Sequence, residues 1–284
     1  MYNGAVAIGE FAEATAIGNN NLALSRGQAA EADAEGAGNV AVAIGNRGSN
    51  AGFVVPPNVS FPAGSALRTS AIAVGTTNTA VALGDGSFAI SNGGPSDGSL
   101  ATTGNNTAIS LGNGANSYAG TYPSAPNANT DVAIALGPGT QSIASGGLNT
   151  AISINPNPNT TGLQTAASAT GGQRNFAYAF GSAGPNEWTQ NNNQPTIAQA
   201  GIVNEPSLSP FAPTNGGNAN RAFALGNGSI AAAGGLPISS PGATGDKNTA
   251  WVIGNGSIVG VFSDVGTADG TKADNALRIT VVNH

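Results

Sequence analysis

The sequence predicts an all-β fold, a parallel β-solenoid (β-roll) built of rungs of about 14 residues and carrying Pro/Gly-rich loop insertions. Three observations predict it. Eleven times along the 284 residues a run of alternating small and bulky apolar residues ends in glycine or asparagine, as in Asn78-Thr79-Ala80-Val81-Ala82-Leu83-Gly84. The runs are punctuated by Gly-x-Gly-Ser segments that read as sharp corners. The major motifs recur at fixed distances, 28 residues from Gly84 to Gly112 and again from Gly226 to Gly254, which suggests two rungs per interval. Self-similarity of this kind marks stacked units that cannot bury an apolar face alone.

Taken in order, the copies are AVAIG (5–9), ATAIG (14–18), NVAVAIG (39–45), SAIAVG (70–75), NTAVALG (78–84), NTAISLG (106–112), DVAIALG (131–137), NTAISIN (149–155), NFAYAFG (175–181), NRAFALG (220–226) and NTAWVIG (248–254). Side chains alternate along a strand, so Thr79, Val81 and Leu83 share one side while Ala80 and Ala82 share the other. Both sides are apolar, as expected of a strand covered twice. The bulky row is expected inside the coil and the alanine row against another surface. Helix, the competing reading for alanine-rich runs, loses to the recurring glycines, the β-branched residues at alternate positions and the absence of capping patterns. Corners such as Gly84-Asp85-Gly86-Ser87 and Gly226-Asn227-Gly228-Ser229 use residues that accept positive φ.

The array is expected over 1–262, with insertions near 52–65, 120–130, 155–172, 184–217 and 235–246, and with 263–284 forming a closing strand or cap. Asparagines at the head of successive motifs, Asn78, Asn106, Asn149, Asn175, Asn220 and Asn248, superpose in such a stack. At the ~4.8 Å spacing of paired strands they form a ladder of side-chain amide hydrogen bonds that holds register.

Composition narrows the function classes. Charged residues are 8 % of the chain, about a third of the usual share, and the formal net charge is −6. Six arginines and two lysines are scattered and aromatic residues are sparse, so no basic groove for nucleic acid is present. No stretch approaches the ~20 apolar residues of a spanning helix, and no export signal is recognised in the chain. Cysteine is absent, which removes disulfides and thiol chemistry.

No cofactor, metal or catalytic residue is assigned. The one histidine, His284, is the last residue given, which leaves no histidine-based triad. Asp264, Asp269 and Asp274 are too sparse for a calcium loop and read as solvated turn carboxylates. The Gly-x-Gly turns never continue to Lys-Ser/Thr, so they are not phosphate loops.

The A-x-A-φ-G and G-x-x-S-x-A patterns, best seen over 71–90, 106–119, 131–154 and 220–231, resemble the head repeats of trimeric autotransporter adhesins. The resemblance covers roughly half of the chain. It implies a left-handed parallel β-roll that trimerises, projects from a cell and adheres to host matrix or to other cells. Neck, heptad stalk and barrel anchor are not found in these residues.

The functional expectation is therefore a non-enzymatic extracellular or cell-surface structural protein, adhesive and self-associating as a trimeric head or fibre subunit. Association is expected through Ala80, Ala82, Ala133 and Ala135 of the alanine face and through Leu277, Ile279 and Val281 at the chain's end. Its partners are other copies of itself and, beyond them, host matrix, another cell surface or polysaccharide. The alternative is a solenoid that binds a repetitive surface such as polysaccharide or ice through the recurring Thr79, Thr107, Thr150 and Thr249. Val40, Val132, Phe176 and Arg221 interrupt that row.

Overall fold

The structure is a computed structural model that describes residues 2–49, 53–55, 59–61, 66–92, 104–120, 130–170, 172–186, 191–202, 218–235, 247–262 and 277–281. Among them it is all-β and parallel in its body. Eleven strands make the first sheet: Gly4–Ile8, Leu22–Arg26, Val40–Ile44, Thr79–Leu83, Thr107–Leu111, Val132–Leu136, Thr150–Ile154, Phe176–Phe180, Arg221–Leu225, Thr249–Ile253 and Leu277–Val281. Ten make the second: Glu13–Asn19, Glu31–Ala37, Ser70–Thr76, Phe88–Asn92, Asn116–Gly120, Thr140–Ser145, Thr165–Thr170, Thr196–Ile202, Ile230–Gly235 and Ile258–Phe262. The chain alternates between the sheets, so each coil lays one strand in each. This is the parallel solenoid expected from the repeat.

Coil length differs from the expectation. Equivalent residues, asparagines except for Asp131, bond across 18 residues in the shortest coils, and across 25, 26, 28, 39 and 45 in the others. A 28-residue interval is therefore one coil with added residues, not two rungs of 14. The second strand of a coil hides in the sequence because its outward positions are often polar or small, as in Glu31–Ala37 (EADAEGA) and Thr165–Thr170 (TAASAT). Two of the expected insertions contain such strands. The segment 155–172 includes Thr165–Thr170, and 184–217 includes Thr196–Ile202 together with a small antiparallel hairpin, Gly184–Asn186 with Asn191–Gln194. Within 52–65, Phe53–Val55 pairs antiparallel with Val59–Phe61. Of 235–246 only Gly235 lies among the described residues.

The inside and outside of the coil are also reversed. Ala80, Ala82, Ala133 and Ala135 are fully buried in the core between the sheets, while Val81, Leu83, Ile134 and Leu136 are half-buried on the outer face. Corner length explains this. The strand ending at Asn19 and the one starting at Leu22 are joined by two residues, which reach roughly 10 Å even when extended and less when turning. Sheets lined by ordinary apolar side chains pack ≈ 10 Å apart, so sheets tied this closely leave room mainly for methyl groups and hydroxyls between them, with Val252 and Val259 of the last coils the larger members of the core. Serine shares the interior on those terms. Ser110 Oγ lies 2.7 Å from Ser117 Oγ and donates to the Phe88 carbonyl, and Ser142 Oγ lies 2.8 Å from Ser153 Oγ and donates to the Ile134 carbonyl.

Two polar ladders hold the coils in register. In the first, Oδ1 of one residue accepts from the backbone N–H of its counterpart in the next coil: Asn3 to Asn21, Asn21 to Asn39, and on through Asn78, Asn106, Asp131, Asn149, Asn175, Asn220 and Asn248, at 2.8–3.0 Å. The expected amide-to-amide bonds are replaced by amide-to-backbone bonds. The Nδ2 groups go elsewhere: Asn21 donates to the Ile17 and Gly36 carbonyls, and Asn149 to those of Ser145 and Gly172. Each such side chain satisfies backbone groups that the corner would otherwise strand. The second ladder follows the corner glycines and runs the other way, with Gln28, Asn46 and Asp85 N–H donating to Oδ1 of Asn46, Asp85 and Asn113.

The corners themselves are tightly stacked. Gly84, at φ +123°, would place a Cβ 2.7 Å from the Gly112 carbonyl carbon, so no larger residue fits there. The Gly-x-Gly-Ser serine closes the same corner, Ser87 Oγ donating to the Gly84 carbonyl at 2.8 Å.

Candidate interaction face

Turning the alanines inward turns the bulky row outward. On the first sheet the middle outward position is Val6, Leu24, Val42, Val81, Ile109, Ile134, Ile152, Tyr178, Phe223 and Trp251, aligned by strand pairing. Every one is apolar or aromatic. The row beside it reads Ile8, Arg26, Ile44, Leu83, Leu111, Leu136, Ile154, Phe180, Leu225 and Ile253. Several of these are well exposed, Ile8 at 54 %, Phe180 at 39 % and Ile253 at 42 %. Eleven strands at ~4.8 Å and five residues at ~3.3 Å make a ribbon roughly 50 Å by 16 Å. That is about 800 Å² of sheet face, of which two of the three outward rows are apolar apart from Arg26, an apolar strip at the upper end of what a monomer usually shows.

The ribbon is aliphatic over its first seven strands and aromatic after them. Phe176 and Phe223 rings lie 5.4 Å apart, and Phe223 and Trp251 rings 4.3 Å apart at 30°. At that separation the Phe223 and Trp251 ring faces cover each other, which adds about 0.5–1.5 kcal/mol per pair to the stacking of the last coils.

Of the residues expected to mediate association, the four alanines are interior and take no part in this face. Leu277, Ile279 and Val281 stand on the last strand of the same sheet, paired in register with Thr249, Trp251 and Ile253. The six ladder asparagines are brought into one column, each at most 1 % exposed. Sequence reading missed Asn3, Asn21, Asn39 and Asp131 in that column; Asn39 and Asp131 head the motifs NVAVAIG and DVAIALG, which was the available signal. The threonines do share one outward row, but in the order Thr79, Thr107, Val132, Thr150, Phe176, Arg221, Thr249, so only Thr79 and Thr107 are neighbours.

The outer face of the second sheet differs in character at its start. Glu13 and Glu31 are neighbours across adjacent strands, with Arg68 Nη1 3.8 Å from a carboxylate oxygen of each. Burial raises the Glu31 carboxyl above its ordinary range, with the Asp33 charge adding to this and Arg68 opposing it. These groups are partly exposed, and such pairs contribute little stability. No group of three His, Cys, Asp or Glu among the described residues is arranged to hold a metal ion. Asp264, Asp269, Asp274 and His284 lie outside the described residues. No helix among the described residues is long and apolar enough to cross a membrane. In comparisons with known proteins, the chain matches no family model, no curated protein and no solved structure.

Proposed function

We propose that this protein is a non-enzymatic structural or adhesive solenoid of the extracellular space or cell surface that self-associates through the outer face of its first sheet. The observation that carries the reading is the unbroken middle row from Val6 to Trp251. A second copy of the chain is the occupant that fits. A row of side chains repeating at the strand spacing is matched best by another row with the same repeat, and the face is long enough to give a standard-sized interface its footprint. The opposing net charge of −6 is spread along the chain, and no acidic residue lies in a strand of the first sheet. The resemblance to trimeric adhesin heads supports the same class of role, with the trimer as the assembly it favours and host matrix or another cell as the surface met by the assembled rod.

Sedimentation equilibrium tests this. The wild-type chain should sediment as a multimer at micromolar concentration, and the double variant Ile109→Asp/Ile134→Asp as a folded monomer with an unchanged β spectrum. A wild-type chain that stays monomeric at high concentration overturns the reading.

A further inference from the structure

One position in the asparagine column carries a carboxyl in place of an amide, and the sequence isolates it. Asp131 is the only charged residue between Asp97 and Arg174. Its side chain is fully buried. Its N–H donates to Asn106 Oδ1 at 2.9 Å, and its Oδ1 accepts from Asn149 N at 3.0 Å and from Gly147 N at 3.1 Å, so this half of the group performs the same task as an asparagine. The other half does not. At Asn21, Asn39 and Asn149 the second side-chain atom is Nδ2, which donates to two backbone carbonyls, while Asp131 Oδ2, like Asn220 Nδ2 further along the column, has no hydrogen-bond partner. Ser145, whose carbonyl accepts from Asn149 Nδ2, pairs in strand register with Gly120 of the coil below. In the coils of Asn21, Asn39 and Asn149 the column receives a donor where Asp131, as a carboxylate, offers only an acceptor.

We propose that Asp131 is a proton-operated latch in this column: as a neutral acid its Oδ2–H replaces the missing amide N–H, and its ionisation loosens the coils on either side of it. The sheet positions the latch well for a regulatory role. The strand that follows it directly, Val132–Leu136, is the sixth of the eleven, at the middle of the apolar ribbon.

The surroundings explain why a proton is held. Burial pushes the carboxyl up to about 7, opposed by the N–H groups of Asn149, Gly147 and Gly146. No charged group contributes to the shift. The strands packed around it, Thr107–Leu111, Asn116–Gly120, Val132–Leu136, Thr140–Ser145 and Thr150–Ile154, carry Tyr118 as their one titratable residue. Arg174, one coil on, meets this corner through its backbone, its N–H donating to the Gly147 carbonyl at 3.4 Å.

The direction of the pH effect follows. An unfolded aspartate ionises near ~3.9, so between about 4 and about 7 the folded chain keeps a proton that the unfolded chain has lost, and stability falls as pH rises. Within that window this one group increases the unfolding constant about tenfold per pH unit, and above it the full loss persists.

The full chain and Asp131→Asn test this by denaturant unfolding across pH 4–8 and by infrared difference spectroscopy. The variant should lose the tenfold-per-unit component, be the more stable chain at pH 8, and lack a protonated-carboxyl stretching band that the wild type shows at pH 6. Contributions from Glu31 and the other carboxylates are common to both chains and cancel. Equal pH dependence in the two chains overturns the proposal. If the variant fails to fold, the wild-type spectrum decides alone: a protonated-carboxyl band that titrates away near neutral pH supports the latch, and its absence at pH 6 overturns it.

Discussion

Alanine 133 and isoleucine 134 are neighbours in one strand with opposite tolerances, and the difference is set by what each faces. Ala133 lies fully buried between two sheets tied together by short corners, so a larger side chain has nowhere to go. Ala133→Leu should force the sheets apart or distort the backbone, at a cost of at least the ~1–3 kcal/mol of ordinary overpacking. Ile134 is half-buried on the outer face, and Ile134→Ser should cost the isolated chain about 1 kcal/mol or less. Urea unfolding of dilute monomer checks both. A larger loss from the Ile134 variant than from the Ala133 variant would restore the bulky row to the interior. Local backbone strain shows the same dependence on the stack. Thr77, Asn105, Thr130, Leu148, Arg174, Ala219 and Lys247 all take φ of 55–67° immediately before a column residue. Few of these types choose that conformation, and the residue that follows fixes it.

A column of asparagines is an element in its own right, because each member serves two coils. Asn149 accepts from Asn175 N at 2.8 Å and donates to the Ser145 and Gly172 carbonyls at 2.6 and 2.8 Å. Asn149→Ala removes all three bonds and strands buried backbone groups, for which about 2–4 kcal/mol is expected, with loss of hydrogen-exchange protection concentrated at Thr150–Ile154 and Phe176–Phe180. Uniform loss across the solenoid would count against the column as a local clamp. This element was visible in the sequence because Asn78, Asn106 and Asn149 head copies with the same apolar frame. Its bonding was not visible, since whether an amide meets an amide or a backbone N–H depends on how the corner turns. The strands of the second sheet were half hidden for a similar reason. Period-2 alternation survives in Glu31–Ala37 only in its alanines, and the outward Glu31, Asp33 and Glu35 break the apolar frame that reveals the first sheet. Sidedness was illegible because Thr79-Ala80-Val81-Ala82-Leu83 is apolar on both faces. Only the reach of the corners decides which face closes on itself.

For the whole molecule, the consequence is that stability and association draw on different surfaces. The interior supplies closely fitted methyl groups, hydroxyls and backbone ladders, while most of the large apolar side chains of the first sheet remain outside and available to a second copy. Trp251 reports on this directly, because it stands in the middle row near one end of the ribbon. The chain has two tryptophans, so Trp188→Phe leaves Trp251 as the only one. Diluting that variant through its association range should shift the remaining emission to longer wavelength as the indole meets water, with far-ultraviolet dichroism unchanged. Salt gives the sign of the forces. Between copies that each carry a net charge of −6, repulsion is screened within about 8 Å at physiological ionic strength, so added salt should move the transition to lower concentration, and sulfate should move it further by strengthening apolar burial. Association that weakened with salt would point instead to ion pairs between copies, and an indole emission indifferent to dilution would show that the ribbon near Trp251 is not where copies meet.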